Sequence, residues 1–150
     1  MMTATPSAAT LETLQGALTA EQAACYGYGI VGAHLVTGSA AQNLAGTDWI
    51  AHMRARDQLT QLISARGATP VAAAVAYELP FPVTSADTAA QLAATIEYRI
   101  AQAYLTLVAL PETGVRNLGA HQVRAAAVRA QSWRGSTEAF PGLPAGSLRR

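Results

Sequence analysis

Lysine is missing from this chain: its ten basic residues are all arginine. A Walker-type phosphate loop, a lysine Schiff base and a pyridoxal site each require that amine, so those chemistries are excluded. Cysteine occurs once, as Cys25. No disulfide can close within the chain, and a reducing, cytoplasmic setting is the expectation. Charge is scarce as well, at 13% of residues with a net of +1. The arginines are scattered, with Arg149 and Arg150 the one adjacent pair, so nothing reads as a nucleic-acid footprint. There is no long uncharged apolar run for a bilayer span, and no basic cluster leading into an apolar run within Met1 to Thr10 that would read as a signal peptide.

What is present is a hydrophobic fraction of 51% with only 6% aromatics, because alanine supplies much of it. Alanine-rich chains favour closely packed helices. At 150 residues the chain reads as a single domain, 1–150, large enough to bury its own core.

Leu11, Leu14, Leu18, Glu21, Cys25, Tyr28, Gly32 and Leu35 recur at spacings of three and four, the seam of a bundle helix, predicted over about 8–37. Gly38 suits a left-handed C-terminal position, and Ser39 with Gln42 reads as a capping box for a second helix, about 40–66. Its seam is Ala45, Trp49, His52, Arg56, Leu59 and Ile63, which turns His52 and Arg56 inward. Pro70, Pro80 and Pro82 then forbid helix across 67–84 and favour extended backbone. About 16 extended residues reach on the order of 50 Å, against roughly 40 Å for the second helix. The segment can therefore cross the whole bundle and set the second and third helices parallel. The third helix, about 85–110, carries Ala90, Ala93, Glu97, Ile100, Tyr104 and Leu107 on one face, with Ile96 and Ala103 beside it. Pro111 ends it. A fourth helix, about 115–134, has two seams that its alanines leave undecided: Leu118, Gln122, Ala125, Arg129 and Trp133, or Leu118, His121, Ala125 and Val128. The tail, 135–150, with Phe140, Pro141, Leu143 and Pro144, reads as an irregular strap across the bundle.

Glu21 and Glu97 stand at the middle of otherwise apolar seams. A carboxylate on a core face must be paired, protonated or bound to metal. Counting outward from each hairpin turn puts Glu21 level with Arg56 and Glu97 level with Arg129, so the expected centre is a buried layer of Glu21, Arg56, Glu97 and Arg129. His52, Tyr28 and Tyr104 support it. An inward Arg56 would make Arg56→Ala cost about 3 to 5 kcal/mol. The competing reading is metal. Carboxylate-bridged di-iron bundles take two glutamates and two Glu-x-x-His motifs, but this chain has no Glu-x-x-His. The donors that remain are Glu21, Glu97 and His52.

Gly27, Gly29 and Gly32 spell G-x-G-x-x-G, with Asp48 further on as an apparent ribose acid. A dinucleotide loop follows a strand and opens a helix, whereas these glycines lie inside a helical seam. Their reading is close helix packing. Tyr26, Tyr28, Tyr98 and Tyr104 lie near the charged layer, where tyrosines bury a ring and hydrogen-bond a carboxylate. His34 reads as a helix-end or surface residue and His121 as an interfacial one.

Five segments together resemble a known group: Glu21-Gln22-Ala23-Ala24 with Tyr26 and Tyr28; His52 to Asp57; Tyr77-Glu78-Leu79-Pro80-Phe81-Pro82-Val83; Glu97 with Arg99; and Phe140-Pro141-Gly142-Leu143-Pro144. They resemble the ferritin-like superfamily, and within it an uncharacterised family found mainly in actinobacteria. That resemblance implies an all-α, ferritin-like four-helix bundle with the left-handed crossover of ferritins, and a homodimer. Glu21 and Glu97 match ligand positions on the first and third helices, while the Glu-x-x-His positions of the second and fourth do not match. Iron oxidation and storage are therefore not implied. The expected role is a non-enzymatic structural or interaction protein with no cofactor, no nucleic-acid partner and no membrane. Two other readings stay open: an iron- or manganese-dependent oxidoreductase or metal-binding protein using Glu21, Glu97 and His52, and a small-ligand binder whose pocket is bordered by Gly27, Gly29, Gly32, Tyr28 and Tyr104.

Overall fold

The computed structural model describes residues 7–134. Four α-helices form: α1 (Ala8–Ala33), α2 (Ala40–Ala65), α3 (Ala86–Val108) and α4 (Thr113–Arg134). Among the described residues there is no strand, and none of their helices is long and apolar enough to cross a membrane. The segment read as a strap, 135–150, lies outside the described residues.

Side-chain oxygens start three of the helices. Ser7 caps α1 by accepting from Thr10 N at 3.1 Å, and Ser39 caps α2 by accepting from Gln42 N at 3.1 Å. Ser85 and Thr88 form a reciprocal capping box at α3. The box expected at α2 closes differently. Gln42 Oε1 accepts from Gly38 N at 2.9 Å, and its amide donates to Gly32 O at 3.2 Å. One side chain thus ties the first turn of α2 to the last turn of α1. The first helix is shorter than its periodicity predicts, because His34 becomes the C-cap and Gly38 makes the turn at φ +76°. Leu35 still buries, which is why the pattern runs on past the helix.

The inward face of α2 corrects the predicted seam. The buried positions are Ala45, Asp48, His52, Ala55, Leu59 and Ile63; Trp49 is exposed and Arg56 lies half out of the core. Both seams are built from steps of three and four and share four members. The true one takes the three-residue step first, so the smaller side chains Asp48 and Ala55 face the core.

The crossover lies along α1. Gln15 binds its backbone twice, donating to Thr69 O at 2.7 Å and accepting from Val71 N at 2.8 Å. Two turns on, Gln22 donates to Val71 O at 2.9 Å, and a turn further the Tyr26 ring meets Tyr77 at 5.7 Å. The segment therefore climbs in the direction of α1 and delivers α3 beside the start of α2, so α2 and α3 run parallel. Leu79, Phe81 and Val83 pack on the core as it passes.

α1 packs against α2 and α3, and α3 against α4. Two glycines permit the closest approaches. A Cβ on Gly27 would meet Ile96 Cδ1 at 2.6 Å, and one on Gly119 would meet Leu107 Cβ and Tyr104 O, both at 2.8 Å. Of the two seams left open for α4, the one with His121 and Val128 is ruled out by the exposure of those two residues, while Leu118 and Ala125, common to both seams, are half-buried. The most buried positions are Val115, Gly119, Ala126 and Ala130. Leu14, Leu18, Leu59, Ile63, Leu92, Ile100 and Leu107 are buried around the bundle's centre, each contributing roughly 2 kcal/mol by leaving water.

Candidate functional site

The centre of the bundle is built around His52 of α2, which is 1% exposed. Its Nδ1 lies 2.7 Å from Glu21 Oε2 on α1, and its Nε2 lies 2.9 Å from Glu97 Oε1 on α3. Both glutamates are 0% exposed. An ionised carboxylate only accepts, so both ring nitrogens must donate, and the ring is an imidazolium. Burial by itself opposes that charge, but hydrogen bonds to Glu21 and Glu97, and their negative charges, raise the His52 pKa to about 9.

Four further residues extend the network. Arg129 of α4 donates from Nε to Glu97 Oε2 at 2.9 Å. Tyr28 donates to Glu97 Oε1 at 2.6 Å and stands 3.3 Å from Asp48 Oδ2, its ring stacked on His52 at 5.2 Å. Trp133, in the last turn of α4, donates from its indole nitrogen to Asp48 Oδ2 at 3.0 Å. Burial alone would raise the Glu97 pKa, but the bond and charge of His52, with Arg129 and Tyr28, hold it below the usual carboxylate value. Asp48 goes the other way. Its burial raises the pKa, the indole bond works against this, and the charge of Glu97 adds to the rise. Tyr28 is pushed up by burial and then by Glu97 and Asp48, so it stays a neutral donor. Two carboxylates, Glu21 and Glu97, face two cations, His52 and Arg129, with a third buried carboxylate, Asp48, at the edge of the layer.

The structure thus brings together Glu21, Glu97, His52, Tyr28 and Arg129. Arg56 is a correction. Its side chain is 37% exposed and pairs with its neighbour Asp57 at 2.8 Å, outside the layer. His52, one turn earlier on α2, stands at the depth where counting from the hairpin placed Arg56. Tyr104 is fully buried beside Glu21, and burial, then the charge and hydrogen bonding of Glu21, push its pKa up. Asp48 and Trp133 were not anticipated as site residues. The signal for Asp48 was its place four residues before His52, on the same helical face. His34 and His121 are exposed. Cys25 is half-buried, and burial pushes its thiol up to about 11, which leaves little reactive thiolate. Gly29 and Gly32 open onto free space, so those two do not border an enclosed pocket.

A metal bound between Glu21, Glu97 and His52 would need an imidazole nitrogen with a free lone pair directed at it. Here each nitrogen is spent on a carboxylate, and the Arg129 cation lies against Glu97. Among the described residues no group of three or more His, Cys, Asp and Glu side chains is arranged to hold a metal ion. The donor set does not fit one.

Among the described residues, the helices and their centre define an all-α four-helix arrangement whose core carries a network of opposite charges. Residues 13–145 match the family described as Domain of unknown function (DUF4439), and the chain belongs to that family. It is also similar to a solved structure, a conserved hypothetical protein, rv2844, from Mycobacterium tuberculosis. That protein shares 34% identity over 86% of this chain and 97% of its own, with a TM-score of 0.81. No curated protein matches the sequence.

Proposed function

We propose that this chain is a ferritin-like bundle in which an ionic layer stands where a di-iron centre would lie, and that it works as a non-enzymatic structural or interaction module, assembled as a homodimer. One observation carries the reading. The His52 imidazole sits between Glu21 and Glu97 with a nitrogen bonded to each, so the carboxylates that match ligand positions are already bridged by a proton donor. The parallel α2 and α3 with a long crossover support the ferritin-like part. Trp49 and Ile50, exposed side by side on α2, support self-association. Reading Glu21, Glu97 and His52 instead as the ligands of an iron or manganese oxidoreductase would require the imidazole to release both carboxylates and to lose a proton from one nitrogen.

Anaerobic Fe(II) loading followed by metal analysis tests the proposal. The expected result is no stoichiometric, tightly held iron and no oxo-bridged absorbance after exposure to air. A stoichiometric site with that absorbance would sink it. Sedimentation equilibrium tests the dimer, and a monomer at tens of micromolar would remove that part alone.

A further inference from the structure

Close helix packing joins α1 to α2, α1 to α3 and α3 to α4, and α4 packs in that way on neither α1 nor α2. On that side of the bundle the Trp133 indole reaches from the last turn of α4 to Asp48 Oδ2 of α2 at 3.0 Å. Its ring also lies tilted against Tyr28 of α1, with centroids 6.4 Å apart. One side chain thus fastens the end of α4 to the two helices on which it does not pack closely.

Asp48 is 4% exposed, and counting protons shows that one of its contacts is incomplete. A phenol has one proton to give. Tyr28 gives it to Glu97 Oε1 at 2.6 Å, so the approach of Tyr28 Oη to Asp48 Oδ2 at 3.3 Å sets an oxygen lone pair against an ionised carboxylate. A proton on Asp48 Oδ2 changes that contact, because the acid can then donate to Tyr28 Oη. The indole feels the opposite effect, since a hydrogen bond to an ionised acceptor is stronger than one to a neutral acid. Proton and indole therefore oppose each other at Asp48, and each weakens the hold on the other by the same factor.

The charged groups around Asp48 decide when the proton arrives. Burial raises its pKa, the Trp133 bond lowers it, the charge of Glu97 on α3 raises it, and Arg129 on α4 and His52 on α2 lower it. Tyr28 on α1 stays protonated. The net direction is upward from 3.8, so the proton binds at a milder acidity than an ordinary aspartate needs, with His52 still charged.

We propose that Asp48 is a proton-operated latch for the end of α4. Ionised, it holds the Trp133 indole. On taking a proton from solvent at Oδ2 it donates to Tyr28 Oη, its hold on the indole weakens, and the last turn of α4 becomes the part of the bundle that loosens first on acidification.

Nitrogen-15 spectra of the two indoles in the full chain follow the latch, with exposed Trp49 as the internal reference for solvent exchange. Relative to Trp49, the Trp133 N–H should exchange roughly tenfold faster below the Asp48 midpoint than at neutral pH, the difference expected between a charged and a neutral acceptor. The Asp48 carboxyl carbon and the Trp133 indole nitrogen should titrate together, with a midpoint above 3.8. Asp48→Asn, which keeps a neutral oxygen for the indole and an amide donor for Tyr28, should show the fast exchange already at neutral pH and no titration. An exchange ratio that does not change with pH, or separate midpoints for carboxyl and indole in the wild type, would overturn the proposal. So would a Trp133 titration that persists in Asp48→Asn.

Discussion

Each nitrogen of His52 lies within 3 Å of a different buried glutamate, so losing this one side chain would leave Glu21 and Glu97 with one cation between them, Arg129. Removing one partner of a buried ion pair costs about 3 to 5 kcal/mol, because an uncompensated charge stays behind. His52→Ala is therefore expected to lose about that much in urea melts. Arg129→Ala should lose less, about 1.5 to 3 kcal/mol, the usual range for a hydrogen bond to a charged group, since Glu97 keeps His52 and Tyr28. Arg56→Ala should stay within about 0.5 kcal/mol, as surface pairs do. A ranking with Arg56 ahead of His52 would restore the layer expected from the hairpin count. Glu21 and Glu97 were legible in the sequence because a charge in an apolar seam has few explanations. Their partner on α2 was not, since His52 and Arg56 are one turn apart and a count from the turn is uncertain by about a turn.

At the scale of the helix, the seam of α2 departs from the predicted one in phase and not in period. A three-four alternation can start with either step, and choosing Trp49 and Arg56 gave the larger and more chemically suggestive side chains. The core instead takes Asp48 and Ala55, because the layer has room for a carboxylate that meets Trp133 and Tyr28. α4 was obscure for a different reason. It buries Gly119, Ala126 and Ala130, residues whose small size permits close approach but carries little hydrophobic signal. Gly119 gives the test. A methyl there meets the backbone of α3, at Tyr104 O and Val108 N, which cannot rotate away. Gly119→Ala should destabilise by about 1 to 3 kcal/mol, despite the gain of about 1 kcal/mol in helix propensity. At Gly27 the obstacle is the flexible end of Ile96, so Gly27→Ala should cost less than Gly119→Ala by thermal denaturation. The reverse order would mean that α3 and α4 are not in close contact at Gly119.

Across the whole molecule, the layer makes stability depend on pH. His52 has its pKa raised from 6.5 to about 9, so its contribution is complete below pH 6.5 and is lost as pH rises through about 9. The amount is on the order of 3 kcal/mol. Glu97 is lowered from 4.5; its contribution is present above that value and lost as pH falls through its folded pKa. Asp48, raised from 3.8, works against Glu97 on the acid side. Denaturant midpoints should therefore fall between pH 6.5 and 9, and this slope should vanish in His52→Ala if the variant stays folded. An unchanged slope would assign the alkaline loss to other groups. The crossover was legible at this scale because Pro70, Pro80 and Pro82 exclude helix and the chain between them is long enough to return. Its attachment to α1 through Gln15 and Gln22 was not, because side-chain amides that bind a distant backbone leave no periodic trace in a sequence.

The charge state of His52 tests the account most directly. Nitrogen-15 spectra of the histidine side chains in the full chain report the protonation of each ring nitrogen. The account predicts that at pH 7 both Nδ1 and Nε2 of His52 carry protons, with a titration midpoint near 9. A neutral His52 at pH 7, with one bare nitrogen and a midpoint at or below 6.5, would contradict it.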